Sequence, residues 1–163
     1  MFCVGDLVVH PMHGAGVIAD IVQERVAGAT QDYYVFQMHV GGLLLKIPVT
    51  NSAAIGVRNI ISATEAATLI SAIPALTVEV NANWNKRYQE NVSRLKSGDL
   101  TQVVQVIKSL MYRGSHRALS TGEWKMLHNA KQIIVSEVAM VENCSPQDVE
   151  KRLDALVMQK QEG

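Results

Sequence analysis

The chain changes its hydrophobic period near residue 62, and this change constrains the fold more than any other feature of the sequence. Before residue 62, short runs rich in Val, Ile, Tyr and Leu alternate with turn residues, a pattern typical of strands. These runs span residues 6–10, 16–23, 33–40 and 43–49. After residue 62, apolar residues recur at three- and four-residue spacing, which indicates helices. We therefore predict an α+β chain with a β module at 1–62 and a helical domain at 63–163.

The β module contains a Gly41-Gly42 pair between its third and fourth runs. Both central residues of a tight two-residue hairpin take positive φ, which glycine adopts without strain. Residues 27–32 are predicted to form the loop before the third run. Four or five short strands in about sixty residues favour a small barrel, in which the sheet curls on itself and closes incompletely.

Residues that typically begin or end helices are frequent after residue 62. The boundaries are marked by Ser62 with Glu65, Gly98 with Asp99, Ser120 with Glu123, and Ser145 with Pro146. The first and third pairs fit the capping box, and the other two fit a glycine stop and a proline start. The predicted helices span 64–72, 83–96, 100–113, 121–142 and 146–158. Residues 74–82 lack helical spacing and are predicted to form an extended linker.

Charge is distributed unevenly along a chain whose formal net charge is zero. Residues 1–80 carry −3, residues 81–131 carry +6 and residues 132–163 carry −3. A positive middle of this kind attracts phosphates locally. Cys3 and Cys144 form no disulfide pattern, which suits a reducing compartment. No apolar run approaches the ~18 residues of a spanning helix and no signal peptide is visible, so we expect a cytoplasmic protein without membrane contact.

Residues 83–88 place a tryptophan at the start of a predicted helix, with cations directly behind it. Trp84, Tyr88 and Leu95 share one helix face, and Arg87 and Arg94 form a ridge beside it. An aromatic side chain flanked by cations can stack on a base while its neighbours hold the backbone. Stacking returns about 1 to 3 kcal/mol, against a few kcal/mol for unstacking a duplex. The alternatives are that Trp84 packs against the helical core and that the cations are simply solvated.

Other chemistry is poorly represented in the sequence. His10 and His13 form an HxxH pair with His39 elsewhere, but no Cys, Asp or Glu at metal-ligand spacing accompanies them. The turn at residues 14–16 lacks the lysine of a phosphate-binding loop. No motif marks a nucleophile or a general base. We therefore expect no metal, no cofactor, no small-molecule substrate and no enzymatic activity.

Several short blocks, taken in order, resemble the CarD-like family of bacterial RNA polymerase-binding transcription regulators. The blocks are Val4-Gly5-Asp6, His10-Pro11 with Gly14, Lys46-Ile47-Pro48-Val49, Gly56-Val57-Arg58, Asn83-Trp84 with Arg87-Tyr88, Leu95-Lys96-Ser97-Gly98-Asp99, and Leu119-Ser120 with Gly122-Glu123. The resemblance as a whole extends over about residues 2 to 158. The order of the blocks makes the resemblance specific, since no single block would suffice.

This resemblance implies a Tudor-like β-barrel that docks on the RNA polymerase β subunit by adding a strand to a sheet edge. It also implies a helical domain that touches promoter DNA, without sequence specificity, at the upstream edge of the melted region. The implied polymerase-binding residues are Lys46, Ile47 and Pro48. In the family, the tryptophan that corresponds to Trp84 is a minor-groove wedge that stabilises the open complex. We expect phosphate contacts from Lys86, Arg87, Arg94 and Lys125.

The chain departs from the family at three positions. Glu24 and Gln89 stand where basic residues are frequent, and Trp124 stands where a lysine or arginine is common. These departures affect individual contacts. Two other functions are kept as alternatives: an adaptor that binds polymerase without a wedge, and a free-standing nucleic-acid-binding module. The resemblance does not predict whether a given promoter is activated or repressed.

Overall fold

The computed structural model describes residues 1–78 and 82–159. The chain first forms five strands: β1 (Leu7–His10), β2 (Gly14–Val26), β3 (Ala29–Met38), β4 (Leu44–Pro48) and β5 (Arg58–Asn59). They make one antiparallel sheet in the order β4-β3-β2-β1-β5. A register shift between Ile18 and Asp20 marks a bulge in β2. Because a bulge bends its strand and increases the local twist, it helps the sheet to curl.

The curled sheet is open, with β4 and β5 as its two edges. Its inner face buries Val8, Ile18, Tyr34, Phe36, Met38, Ile47 and Val57. Gly16 lets β2 pass close to β3, since a Cβ at this position would lie 2.6 Å from the ring of Phe36. An incompletely closed Tudor-like module is therefore confirmed.

The remaining elements are mainly helical: α1 (Ser52–Ile55), α2 (Ala63–Ala72), α3 (Trp84–Lys96), α4 (Leu100–His116), α5 (Thr121–Glu142) and α6 (Pro146–Val157). Short 3-10 turns occupy Val49–Asn51 and Ile73–Ala75. The α+β fold class and the five long helices are confirmed. The elements not predicted from the sequence, α1, β5 and the two 3-10 turns, have only two to four residues each, too few for a repeating hydrophobic pattern.

The β2–β3 hairpin is longer than predicted. Ala27 and Gly28 both take positive φ, 52° and 81°, as the central residues of a tight two-residue turn do. The ladder therefore continues to the pairing of Val26 with Ala29. The prediction of a loop over residues 27–32 was wrong beyond residue 28, because Ala27 accepts a conformation that the sequence does not signal.

The connection between β3 and β4 has the two glycines in the predicted conformation. Gly41 and Gly42 have φ of 84° and 67°. The turn is not a two-residue one, however, because the Met38 N–H donates to the Leu43 carbonyl at 2.9 Å, and this bond encloses the four residues 39–42.

The helical domain is built on α4 and α5. The apolar stripes predicted on them bury Val103, Val104, Ile107 and Leu110 from α4 and Leu127, Ala130, Ile134 and Val138 from α5. Leu69 from α2 and Leu153 from α6 join the same core. Full burial of each large aliphatic side chain contributes about 1.5 to 3 kcal/mol. Because α5 packs against the other helices and against the β module, it is the central helix of the domain.

The β module and the helical domain meet along α5. Gly14 has a φ of +83°, and a Cβ there would collide with Ser136 Oγ. That hydroxyl oxygen accepts a hydrogen bond from the Ala15 N–H at 2.8 Å and donates one to the Ile133 carbonyl at 3.2 Å. The glycine therefore permits a close approach of strand and helix as well as a turn.

A buried carboxylate fastens the same junction. Glu137 on α5 is 0% exposed and accepts hydrogen bonds of 2.7 and 2.8 Å from the Arg58 guanidinium. The Ile61 N–H donates a third at 3.0 Å. Breaking such a pair costs about 3 to 5 kcal/mol because one charge is left buried without compensation. The junction therefore favours one arrangement of the two parts.

The predicted linker at 74–82 is described only in part. Its first residues complete the 3-10 turn Ile73–Ala75, and residues 79–81 lie outside the described chain. The division of the chain at residue 62 stays a prediction. Within residues 1–78 and 82–159, none of the helices combines the length and the apolar character needed to cross a membrane.

Candidate nucleic-acid interface

Helix α3 begins at Trp84. Asn83 caps it, since its Oδ1 accepts a hydrogen bond from the Lys86 N–H at 3.1 Å. Helical side chains lean toward the N-terminus of their helix, and Trp84 occupies the first helical position. Trp84 is 44% exposed and lies at the N-terminal end of the apolar face of α3.

The ring of Tyr88 packs against the indole of Trp84. The two rings are stacked, with centroids 5.0 Å apart and planes 14° apart. Tyr88 itself packs against the helical core, and a Cβ on Gly122 of α5 would lie 3.5 Å from its ring. Trp84 thus stands one helical turn outside the core on an anchored aromatic ring. Because Trp84 is exposed in this geometry, the alternative that it is buried in the helical core is wrong.

Arg87 does not lie on the surface, and this corrects the expectation that it contacts phosphate. Arg87 and Glu123 are each 2% exposed, and Arg87 Nε donates to Glu123 Oε2 at 3.1 Å. Arg113 of α4 places its Nε 3.8 Å from Glu123 Oε1. One carboxylate therefore joins α3, α4 and α5. The residue was misassigned because its buried partner lies 36 positions away in the sequence.

The pKa of Glu123 reflects these opposing influences. Burial raises this pKa. The hydrogen bond and charge of Arg87, the charge of Arg113 and a hydrogen bond from Ser120 together lower it by more than burial raises it. The net pKa lies below the ordinary value of 4.5. Ser120 also caps α5 by accepting from the Glu123 N–H at 3.2 Å. The capping interpretation of Ser120 and Glu123 captured this local bond and missed the longer-range pairing.

The other predicted phosphate contacts divide by position. Lys86 in the first turn of α3 and Lys125 in the first turn of α5 are both exposed. Neither forms an ion pair with another residue of the described chain. Arg94 is half-buried, donates to Asn91 Oδ1 at 3.3 Å and lies ten residues, or about 15 Å along the axis, from Trp84. Lys86 therefore lies two residues from Trp84 on the same helix, and Lys125 is exposed on the neighbouring helix α5.

Two further cations of the positive middle are engaged inside the protein. Lys108 Nζ donates to the carbonyls of Ile73, Pro74 and Leu76 at 2.8, 3.1 and 2.8 Å, and burial lowers its pKa. Lys131 pairs with Glu150 at 2.9 Å and Asp154 at 3.0 Å, carboxylates of the acidic C-terminal segment. The charge available for phosphates is therefore smaller than the segment sum.

The three residues expected to bind polymerase lie on β4, an edge strand. Lys46 and Pro48 alternate with Ile47, so they face outward while Ile47 is buried in the core of the β module. The side chain of Ile47 is therefore unavailable, and only its backbone can contact a partner. Lys46 forms an ion pair with Glu24 of β2, a contact made by one of the positions that departs from the family.

Sequence reasoning gave Trp124 no role, although it is more exposed than Trp84, at 63%. It lies in the first turn of α5, one residue after Glu123. Its exposure follows from the direction of its neighbour, because Glu123 must point inward to reach Arg87. Among residues 1–78 and 82–159, no group of three or more His, Cys, Asp or Glu side chains has the geometry of a metal site.

Two family models match the chain. Residues 2–61 match the CarD-like/TRCF RID domain, and residues 68–154 match the CarD C-terminal domain. The Bacillus subtilis (strain 168) protein "Putative transcription factor YdeB" is 27% identical over 149 residues, which cover 91% of this chain and 97% of that protein. An RID-type β module followed by this helical domain defines a class of transcription regulator. The chain belongs to the CarD-like family.

The cluster of Glu123 with Arg87 and Arg113 predicts how the stability of the protein depends on pH. The pKa of Glu123 in the folded protein is depressed, so its contribution is fully present above the unfolded value and is lost as pH falls through the folded value. At pH 7 we expect Glu123→Gln to unfold more easily than wild type by about 3 kcal/mol, because Arg87 loses its charged partner. The difference should narrow as pH falls from about 5 to about 3.

Urea unfolding at a series of pH values measures this difference. Glu90→Gln is a suitable control, because it removes an exposed carboxylate on the same α3 helix and should change stability little. A Glu123→Gln deficit that stays constant down to pH 3 would show that the charge of Glu123 is not what holds the cluster.

Proposed function

We propose that the protein docks on the RNA polymerase β subunit through its β module and stabilises the promoter open complex through its helical domain. Trp84 is the wedge, inserted in the minor groove at the upstream edge of the bubble without reading sequence. The observation that carries this proposal is the exposed indole at the tip of α3, stacked on an anchored Tyr88, with the exposed Lys86 two residues further along the same helix.

The wedge is pre-organised, which matters because its energy is small. Stacking on a base returns about 1 to 3 kcal/mol, comparable with the cost of unstacking one step. Ordering a mobile side chain would use up part of that return. The stack on Tyr88 and the buried pair of Arg87 with Glu123 fix the ring and its helix in advance. The wedge therefore favours a step that is already opening.

Placement and most of the affinity come from polymerase. The outer backbone edge of β4 has no neighbouring strand in the described part of the chain, and Leu43 and Leu44 are exposed there. A partner strand can add its hydrogen bonds to such an edge. A carboxylate on the partner would have to compete with Glu24 for Lys46, so Leu44 and the backbone contribute more than Lys46 alone.

The two alternative functions, a polymerase-binding adaptor and a free-standing nucleic-acid-binding module, require different surface features. A polymerase-binding adaptor has no use for an exposed and supported indole. A free-standing nucleic-acid-binding module would hold DNA by phosphate neutralisation, which supplies nearly all non-specific affinity, and would have no use for the unpaired edge of β4. Open-complex stabilisation uses both the edge strand and the wedge.

Substitution of the wedge tests the proposal. We expect wild-type protein to lengthen the lifetime of promoter open complexes on bacterial RNA polymerase under competitor challenge. Trp84→Ala should remove that gain, by about tenfold if the wedge contributes about 1.4 kcal/mol. Capture of polymerase by the variant should be unchanged, because residue 84 is remote from the β4 edge in sequence and in the fold.

The matched control is Tyr112→Ala, which removes another exposed aromatic from the helical domain. It should leave the lifetime gain intact. If Trp84→Ala binds polymerase and keeps the full gain, the adaptor function replaces the one proposed here.

The phosphate contacts are tested through the salt dependence of DNA binding. Neutralising one phosphate contact reduces the slope of log K against log salt by about 1. We therefore expect Lys86→Gln and Lys125→Gln each to flatten the slope for fork DNA. Lys151→Gln on α6, also exposed, is the control. Arg87→Gln should lower stability without a comparable change of slope, whereas a flattened slope in a folded Arg87 variant would restore its phosphate role.

The polymerase contact is tested on the β4 edge. A glutamate placed in an apolar contact must be desolvated without a partner, so Leu44→Glu should weaken polymerase capture by about tenfold or more. Val26→Glu changes another exposed apolar residue of the same sheet, at the far tip of the β2–β3 hairpin, and should bind normally. Equal capture by both variants would move the docking surface away from β4.

A further inference from the structure

The first two turns of α5 present a second exposed aromatic surface. Trp124 is 63% exposed and borders a shallow recess of about 370 Å³ with Lys125, His128 and Asn129. The spacing explains this grouping, because residues 124 and 128, and residues 125 and 129, are neighbours on one side of a helix.

The chemistry of this recess suits a nucleotide. It offers a flat indole, a cation, an imidazole and a carboxamide, and its lining contains no carboxylate. The adjacent Glu123 is buried and neutralised by two arginines, so it does not repel phosphate. Every base has a π-face that can stack on an aromatic side chain whatever the sequence, and Lys125 stands beside that face for the backbone.

Trp124 leaves α5 on a different side from the one that faces the wedge. Gly122 faces the Tyr88 ring that carries Trp84, and residue 124 is about 200° further around the helix. A helix with its side chains is about 10 to 12 Å across. The side chain of Trp124 therefore starts on nearly the opposite side of α5 from Gly122, whereas Lys125 and Asn129 lie between the two sides, within about 60° of Gly122.

We propose that Trp124, with Lys125 and His128, forms a second nucleic-acid-binding site that stacks on an unpaired base of a strand leaving the fork. The inference rests on the proposed function in that the wedge places promoter DNA on this domain. Trp84 meets the paired edge of the bubble, and Trp124 meets the single strand beyond it. This assigns a specific ligand to a tryptophan that replaces the usual basic residue of the family.

The chain contains two tryptophans, so each can be observed alone. In the full-length Trp84→Phe protein the indole of Trp124 is the sole tryptophan, and in Trp124→Phe that of Trp84 is. We expect the Trp124 emission to be quenched by fork DNA with an unpaired arm, at low ionic strength, and not by a fully paired duplex of the same length. Trp124→Leu should lose about fivefold or more in affinity for the fork and little for the duplex.

Tyr112→Leu, an exposed aromatic outside the recess, should bind the fork as wild type does. A response from Trp84 with none from Trp124 would overturn the second site and leave the proposed function standing. A response from Trp124 alone would support the second site and remove the wedge. Equal quenching of Trp124 by fork and duplex, or a Trp124→Leu defect in polymerase capture without a defect in fork binding, would also overturn the inference.

Discussion

The carboxylate of Glu123 lies between two arginines, and the placement of the whole interface depends on it. Its partner Arg87 comes from α3 and the second cation, Arg113, from α4, so a single group on α5 sets how three helices meet. A carboxylate this buried would be driven toward its neutral form without compensating charge. Because the pair is oriented as well as charged, it directs the first turns of α3, and with them the exposed indole of Trp84.

Burial of this pair contributes more to geometry than to net stability. Removing two charges from water costs about as much as their attraction returns, whereas an unpaired partner is strongly unfavourable. The pair with Glu137 at the domain junction follows the same rule, since its three donors satisfy a carboxylate that is wholly buried. Both pairs penalise alternative packings. The exposed indole of Trp84 and the β4 edge are consequently held in one packing arrangement by the two buried pairs.

Local signals in the sequence predicted the helices well and their mutual contacts poorly. Caps such as Ser62 and Ser145 are encoded within four residues, and the structure contains the hydrogen bonds that they imply. The role of Arg87 depends on a carboxylate 36 residues away, and a ridge of spaced cations looks the same whether it faces solvent or a buried partner. The turn at Ala27 was missed for a similar reason, since the long ladder on either side, and not the residue type, stabilises its positive φ.

Under the proposed function, a weak wedge on a docked body predicts an effect that depends on the promoter. Binding energy changes an equilibrium only by the difference in affinity for its two states, and here that difference comes from a base step that is unstacked in the open state. In this proposal, docking through β4 would be the same in both states, so it would raise occupancy without shifting the balance. A shift of about 1.4 kcal/mol still changes the open-to-closed ratio tenfold. That shift speeds initiation where opening is limiting and slows it where escape from an already stable open complex is limiting.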